Sequence, residues 1–144
     1  MNLPDRSEPG EVDPGARFRH DLLTPVNHIL GYCSLLIDSA RMRDAREQLI
    51  DLRSLFDEGR RVLDVIEDIL PRDPAPDQRL DYALLAVRLA GPADAIVRSC
   101  NRLETIPSDH RDLDRGEYLD DLLQIKEASQ RLIEMAHRGP SARA

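Results

Sequence analysis

From Leu49 to Leu70 the apolar residues fall at alternating intervals of three and four: Leu49, Leu52, Phe56, Gly59, Leu63, Ile66 and Leu70. A strand requires a period of two, so this run reads as a helix, and a 3.5-residue repeat without a slip is the seam of helices packed nearly parallel in a bundle. Three further stripes have the same character. Phe18, Leu22, Pro25, Ile29, Tyr32 and Leu36 make one, widened by Leu23, Val26, Leu30, Cys33 and Ile37. Tyr82, Leu85, Leu89, Ala93, Ile96, Cys100 and Leu103 make another, and Tyr118, Leu122, Ile125, Leu132 and Ala136 the last. Only 3% of the 144 residues are aromatic while 41% are hydrophobic, so the interior must be built from Leu, Ile, Val and Ala, as in helical bundles.

The segments between the stripes are ones that stop helices. Pro71 to Pro76 reads PRDPAP, and proline lacks the amide donor and restricts the residue before it. Ile106-Pro107 ends the third helix and Gly139-Pro140 the fourth, which is expected to start between Asp112 and Glu117. Asp44 with Glu47 three residues on predicts a capping pair for the second helix. Residues 1–15, rich in Pro, Gly, Asp and Glu, are expected to be disordered, as is a tail over 139–144. The chain therefore reads as one all-α domain over 16–138, an antiparallel four-helix bundle. Hairpin one covers 16–70, a linker 71–77, and hairpin two 78–138.

The hairpins also read as distant copies. A shift of 67 positions lays Leu22, Pro25, Ile29, Cys33 and Leu36 on Leu89, Pro92, Ile96, Cys100 and Leu103. Leucines coincide readily in amphipathic helices, but an interior proline costs about 3 kcal/mol and is seldom placed twice at one depth by chance.

A formal charge of −7 without a Lys/Arg cluster argues against nucleic acid, which needs a basic face to release counterions. No apolar stretch approaches the length that spans a bilayer, and the first residues are polar and acidic, unlike a signal peptide; the expected location is the cytoplasm. Cys33 and Cys100 lack metal-ligand spacing and sit among apolar residues, so they are expected to be buried free thiols, with no metal or cofactor bound by this chain.

Chemistry concentrates in Phe18 to Asp38, FRHDLLTPVNHILGYCSLLID. His20 lies off the apolar stripe, with Thr24, Asn27 and Gly31 following at helical spacings, so its ring is expected in solvent. An imidazole is substantially neutral at pH 7, and a ring nitrogen can attack phosphorus without prior activation. Asp21 could orient the ring or act as general base, and the Thr24 hydroxyl, one turn on, could position a water or a phosphoryl oxygen. Pro25 cannot donate to the Asp21 carbonyl, which loosens the helix beside the reactive residue. In isolation a His beside an Asp is a solvated surface pair; the ordered motif is what gives it a chemical reading. His28 reads as a surface or docking residue, and His110 and His137 as structural or incidental.

That stretch resembles the histidine-containing box of the dimerisation and histidine-phosphotransfer domain of sensor histidine kinases. The family pattern is a His, an acidic residue, two variable positions, a Thr or Asn, and a Pro, matched here by His20, Asp21, Leu22, Leu23, Thr24 and Pro25. Asn27, Ile29, Gly31, Tyr32 and Leu35-Leu36 fit as well. The second helix matches only in seam and length, and the third and fourth only through the repeat.

The resemblance implies a phosphoryl group carried on His20 and exchanged with the aspartate of a response-regulator receiver domain, whose Mg²⁺ would belong to that partner. It implies a phosphatase role for Thr24 and a docking face around Asn27, His28 and Gly31 with the adjoining face of the second helix. An upstream histidine kinase is a further expected partner. The family's ATP-binding domain has no counterpart: the seven glycines are scattered, without a phosphate-cradling pattern, so self-phosphorylation from ATP is not expected. The shift of 67 places Val87, Arg88 and Gly91 where hairpin one has His20, Asp21 and Thr24, so the expected state is a monomeric pseudo-dimer with one active face. Two alternatives stand beside this reading: a non-catalytic module that docks or sequesters a receiver, and an N-terminal regulatory domain of a longer signalling protein.

Overall fold

A computed structural model of the chain describes residues 13–106 and 115–140. Its elements are α1 (Pro14–Met42), α2 (Arg46–Ile69), α3 (Tyr82–Thr105) and α4 (Arg115–Arg138), with no strand among the described residues. Each helix packs on its two sequence neighbours, α4 closing back on α1, while backbones on the diagonals stay apart. With every helix against its neighbours in sequence and the first against the last, this is a four-helix bundle. No helix of the described residues is long and apolar enough to cross a membrane.

The helix ends follow local chemistry. α1 starts at Pro14, two residues before Ala16, because the Asp13 carboxylate accepts the Ala16 amide at 3.1 Å and a proline in the first turn has no amide to strand. Asp81 caps α3 in the same way, accepting from the Leu84 amide at 2.9 Å. Asp44 does not cap α2. It stands at φ +55°, its own amide bonded to the Arg41 carbonyl at 3.1 Å and the Ala45 amide to the Ala40 carbonyl at 2.9 Å. That is the left-handed residue closing a Schellman turn at the end of α1. With three residues between the helices, reversing the chain takes Asp44, and α2 begins after Ala45 without a side-chain cap. Gly139, at φ +74° and bonded to the Met135 carbonyl, ends α4 in the expected place. α4 begins at Arg115, within the expected span from Asp112 to Glu117, and of the segments expected to be disordered, 1–15 and 139–144, Pro14 and Gly15 lie in α1; residues 1–12, 141–144 and His110 lie outside the described residues.

The core is mainly aliphatic, with Phe18 and Tyr118 as its buried aromatics. Leu22, Ile29, Leu52, Leu55, Ile66, Leu89, Ile96, Leu122 and Ile125 are all fully buried. In α2 the buried line is Leu52, Leu55, Gly59, Val62, Val65, Ile66 and Ile69, while Leu49, Phe56 and Leu63 of the regular seam are only half-buried. Leu52, Leu55, Gly59, Val62, Ile66 and Ile69 themselves alternate three and four, so the period holds and the core axis passes one column to the side of the Leu49, Phe56 and Leu63 column. Phe56 ends on the flank, at the groove toward Ile37 of α1. Gly59 lets α1 approach closely: a Cβ there would lie 2.9 Å from Leu30 Cδ2.

Burial repeats between the hairpins. Leu22 and Leu89, Ile29 and Ile96, and Cys33 and Cys100 are each fully buried on α1 and α3. On α2 and α4 the same pairing runs three residues further out (122 − 52 = 70), joining Leu52 to Leu122, Leu55 to Ile125, Gly59 to Ser129 and Val62 to Leu132. The difference is absorbed in the longer α3–α4 connection. Pro25 and Pro92 both lie inside helices that continue through them.

Candidate functional site

The face of α1 opposite its buried stripe carries His20, Thr24, Asn27 and Gly31, all exposed, in one line along the helix. Turned away from that line are Asp21 and His28, also exposed. Successive helical residues point about 100° apart, so Asp21 looks past the imidazole rather than at it. Among the described residues the side chains of His20, Asp21 and Thr24 make no hydrogen bond or ion pair. The fold thus brings Thr24 onto the His20 line but does not join the Asp21 carboxylate to the ring. His28 instead meets Tyr32 edge to face, ring centroids 6.3 Å apart.

Arg19, immediately before His20, was not marked by the sequence as a site residue. Its Nε donates to the Leu70 carbonyl at 2.8 Å, tying the first turns of α1 to the end of α2. The Leu70 carbonyl lies at the helix end, where no further turn supplies a donor, and the guanidinium fills that role. No local spacing announces a bond to a backbone atom 51 residues away. The effect is to hold the backbone beneath His20 while leaving its side chain free.

Farther along α1 the exposed line continues through Ser34, Asp38 and Arg41. These border a cavity of about 340 Å³ shared with Arg53, Phe56 and Asp57 of α2. Of the expected docking residues, Asn27 and Gly31 therefore lead from His20 toward a groove between α1 and α2 lined by Ile37 and Phe56 and by charges of both signs, while His28 faces away from that line.

On hairpin two the corresponding positions have different chemistry. Val87 is 72% exposed, Arg88 is paired with Asp68 of α2 at 2.7 Å, and Gly91 faces open space. None of the three offers a nucleophile.

The two thiols are free and buried on α1 and α3. Burial pushes Cys33 up to about 12, helped by the neighbouring Cys100 and by Asp57. Burial likewise raises Cys100 to about 12, with Lys126 opposing and Glu104 reinforcing the shift. Neither supplies a thiolate near neutral pH. Among the described residues no three His, Cys, Asp or Glu side chains converge as a metal site.

No family model, curated protein or solved structure matches the chain.

Proposed function

We propose that the chain is a histidine phosphotransfer protein that relays a phosphoryl group between His20 and the aspartate of a receiver domain. The observation that carries this reading is the exposed, unpaired imidazole of His20 on a braced helix, with the Thr24 hydroxyl one turn along the same line. The resemblance of Phe18 to Asp38 to the phosphotransfer box supplies the reaction class.

In the forward step the lone pair of the unprotonated ring nitrogen attacks phosphorus of the partner's aspartyl phosphate. A P–N bond forms as the P–O bond breaks, and the partner's carboxylate leaves with the electron pair. The phosphorylated ring carries a positive charge until its other N–H releases a proton to water. Charge on the transferring group is neutralised by the receiver's Mg²⁺, not by a group of this chain. Asn27, His28 and Gly31, with the α1–α2 groove beyond them, are the surface on which the receiver rests. The chain needs no ATP site for this role; an upstream histidine kinase charges the relay through the receiver or directly.

The test is transfer of label from a phosphorylated receiver to the full chain and to His20→Ala. Acid-labile, base-stable label on the wild type and none on the variant is the expected result. Equal labelling of both removes His20 from the mechanism, and receiver binding without labelling of either leaves a docking module.

A further inference from the structure

A second groove, of about 740 Å³, opens between the start of α3 and the end of α4. Its floor is formed by Ala83, Ala86 and Ala90 with Val87 standing at the edge, and its rim by the exposed His137 and Arg138. Comparison with hairpin one explains why it is open. At the corresponding places α1 has Arg19, which bonds the Leu70 carbonyl at the end of α2, and the half-buried Leu23, whereas α3 has Ala86 and Ala90. Charge differs as well: Arg138 of α4 stands where α2 has Asp68, and His137 where α2 has Glu67. Among the described residues no acidic side chain lines this groove, in a chain where Asp and Glu outnumber Lys and Arg by 27 to 20.

We propose that this groove docks an acidic amphipathic helix of a partner protein. The alanines recur at intervals of three and four along about 10 Å of α3, and small residues at that spacing allow another helix backbone to come close. Apolar anchors of the incoming helix cover Val87 and the alanines, while its carboxylates meet Arg138 and His137 at the rim. The lining is mainly apolar, with polar groups at Tyr82, His137 and Arg138, and the buried polar residues Gln48, Ser99 and Ser129 lie elsewhere, so an extended apolar face fits it better than a small polar ligand. The assignment stands independently of the chemistry at His20.

The probe is a fluorescent peptide of about 16 residues with Leu at helical i, i+3, i+4 and i+7 positions and Glu elsewhere, titrated by polarisation against the full chain. A counterpart with Lys in place of Glu is the control. Saturable binding of the acidic peptide, weakened about tenfold or more by Val87→Glu and made less salt-sensitive by Arg138→Gln, is expected. Val87 is 72% exposed, so its replacement leaves the core intact. Absence of saturable binding, equal binding of the Lys peptide, or indifference to Val87→Glu overturns the proposal. So does a dimer of the chain alone that Val87→Glu dissociates, which makes a second copy the occupant.

Discussion

At Asp44 the backbone takes a left-handed conformation that a side chain resists; the turn's backbone hydrogen bonds do not need that side chain, whose carboxylate makes an exposed pair with Arg46 at 3.5 Å. Glycine removes the Cβ conflict at the cost of a looser unfolded chain. Asp44→Gly is therefore expected to stabilise the fold by about 0.5 to 1 kcal/mol, measured by urea unfolding with an unchanged m-value. Gly31 and Gly59 separate two kinds of helical glycine. Around Gly31 there is nothing within 4 Å of an added Cβ, so Gly31→Ala should gain about 1 kcal/mol from helix propensity alone. At Gly59 the space is taken by Leu30 and Ile29, and Gly59→Leu should lose about 2 kcal/mol or more through overpacking, read as a fall in the urea midpoint. Thr24 is exposed and supports no packing, so Thr24→Ala should leave stability within about 0.5 kcal/mol of wild type. In the proposed mechanism it should slow release of phosphate from a charged receiver while labelling of His20 persists; equal slowing of both reactions would deny Thr24 a distinct role.

At the scale of the helices, the buried thiols link α1 and α3 to alkaline stability. Both titrate higher in the folded chain, near 12 against an ordinary value near 9, because burial penalises the thiolate. A raised acid favours the fold fully below about pH 9, and that contribution is lost as the pH climbs toward 12. The stability of Cys33→Ala should thus fall less steeply over that window, by about 1.4 kcal/mol per pH unit, whatever its stability at pH 7. Coincident slopes for variant and wild type would contradict the burial of Cys33. The stripes of α1, α3 and α4 were legible in the sequence because their apolar residues outline one face, whereas α2 carries apolar columns on both sides of Leu52, Gly59 and Ile66 and spacing alone does not choose between them. Those of α2 were less so: its regular repeat marked a helix, but the residues that reach the core are Leu55, Val62 and Val65, not Leu49, Phe56 and Leu63. Asp44 with Glu47 imitated a capping pair, and only the length of the α1–α2 turn reveals that Asp44 belongs to the preceding helix.

Over the whole molecule, two hairpins with matched cores have diverged at one end of the bundle. Hairpin one presents His20 over a groove end closed by Arg19, and hairpin two presents Val87 over an open, basic-rimmed groove. Position and exposure of His20 could be read from the sequence, because both follow from helical periodicity on a single element. The Arg19 brace, the failure of Asp21 to meet the ring, and the second groove could not, since each depends on where distant segments or side-chain directions fall. In the proposed function phosphorus enters the chain at His20 and nowhere on hairpin two. Phosphorus NMR of the chain after incubation with a phosphorylated receiver tests it most directly. The expected spectrum has one phosphoramidate resonance, coupled to the ring protons of His20 and absent in His20→Ala. A resonance assigned to any other residue, or none from a receiver shown to bind, would contradict it.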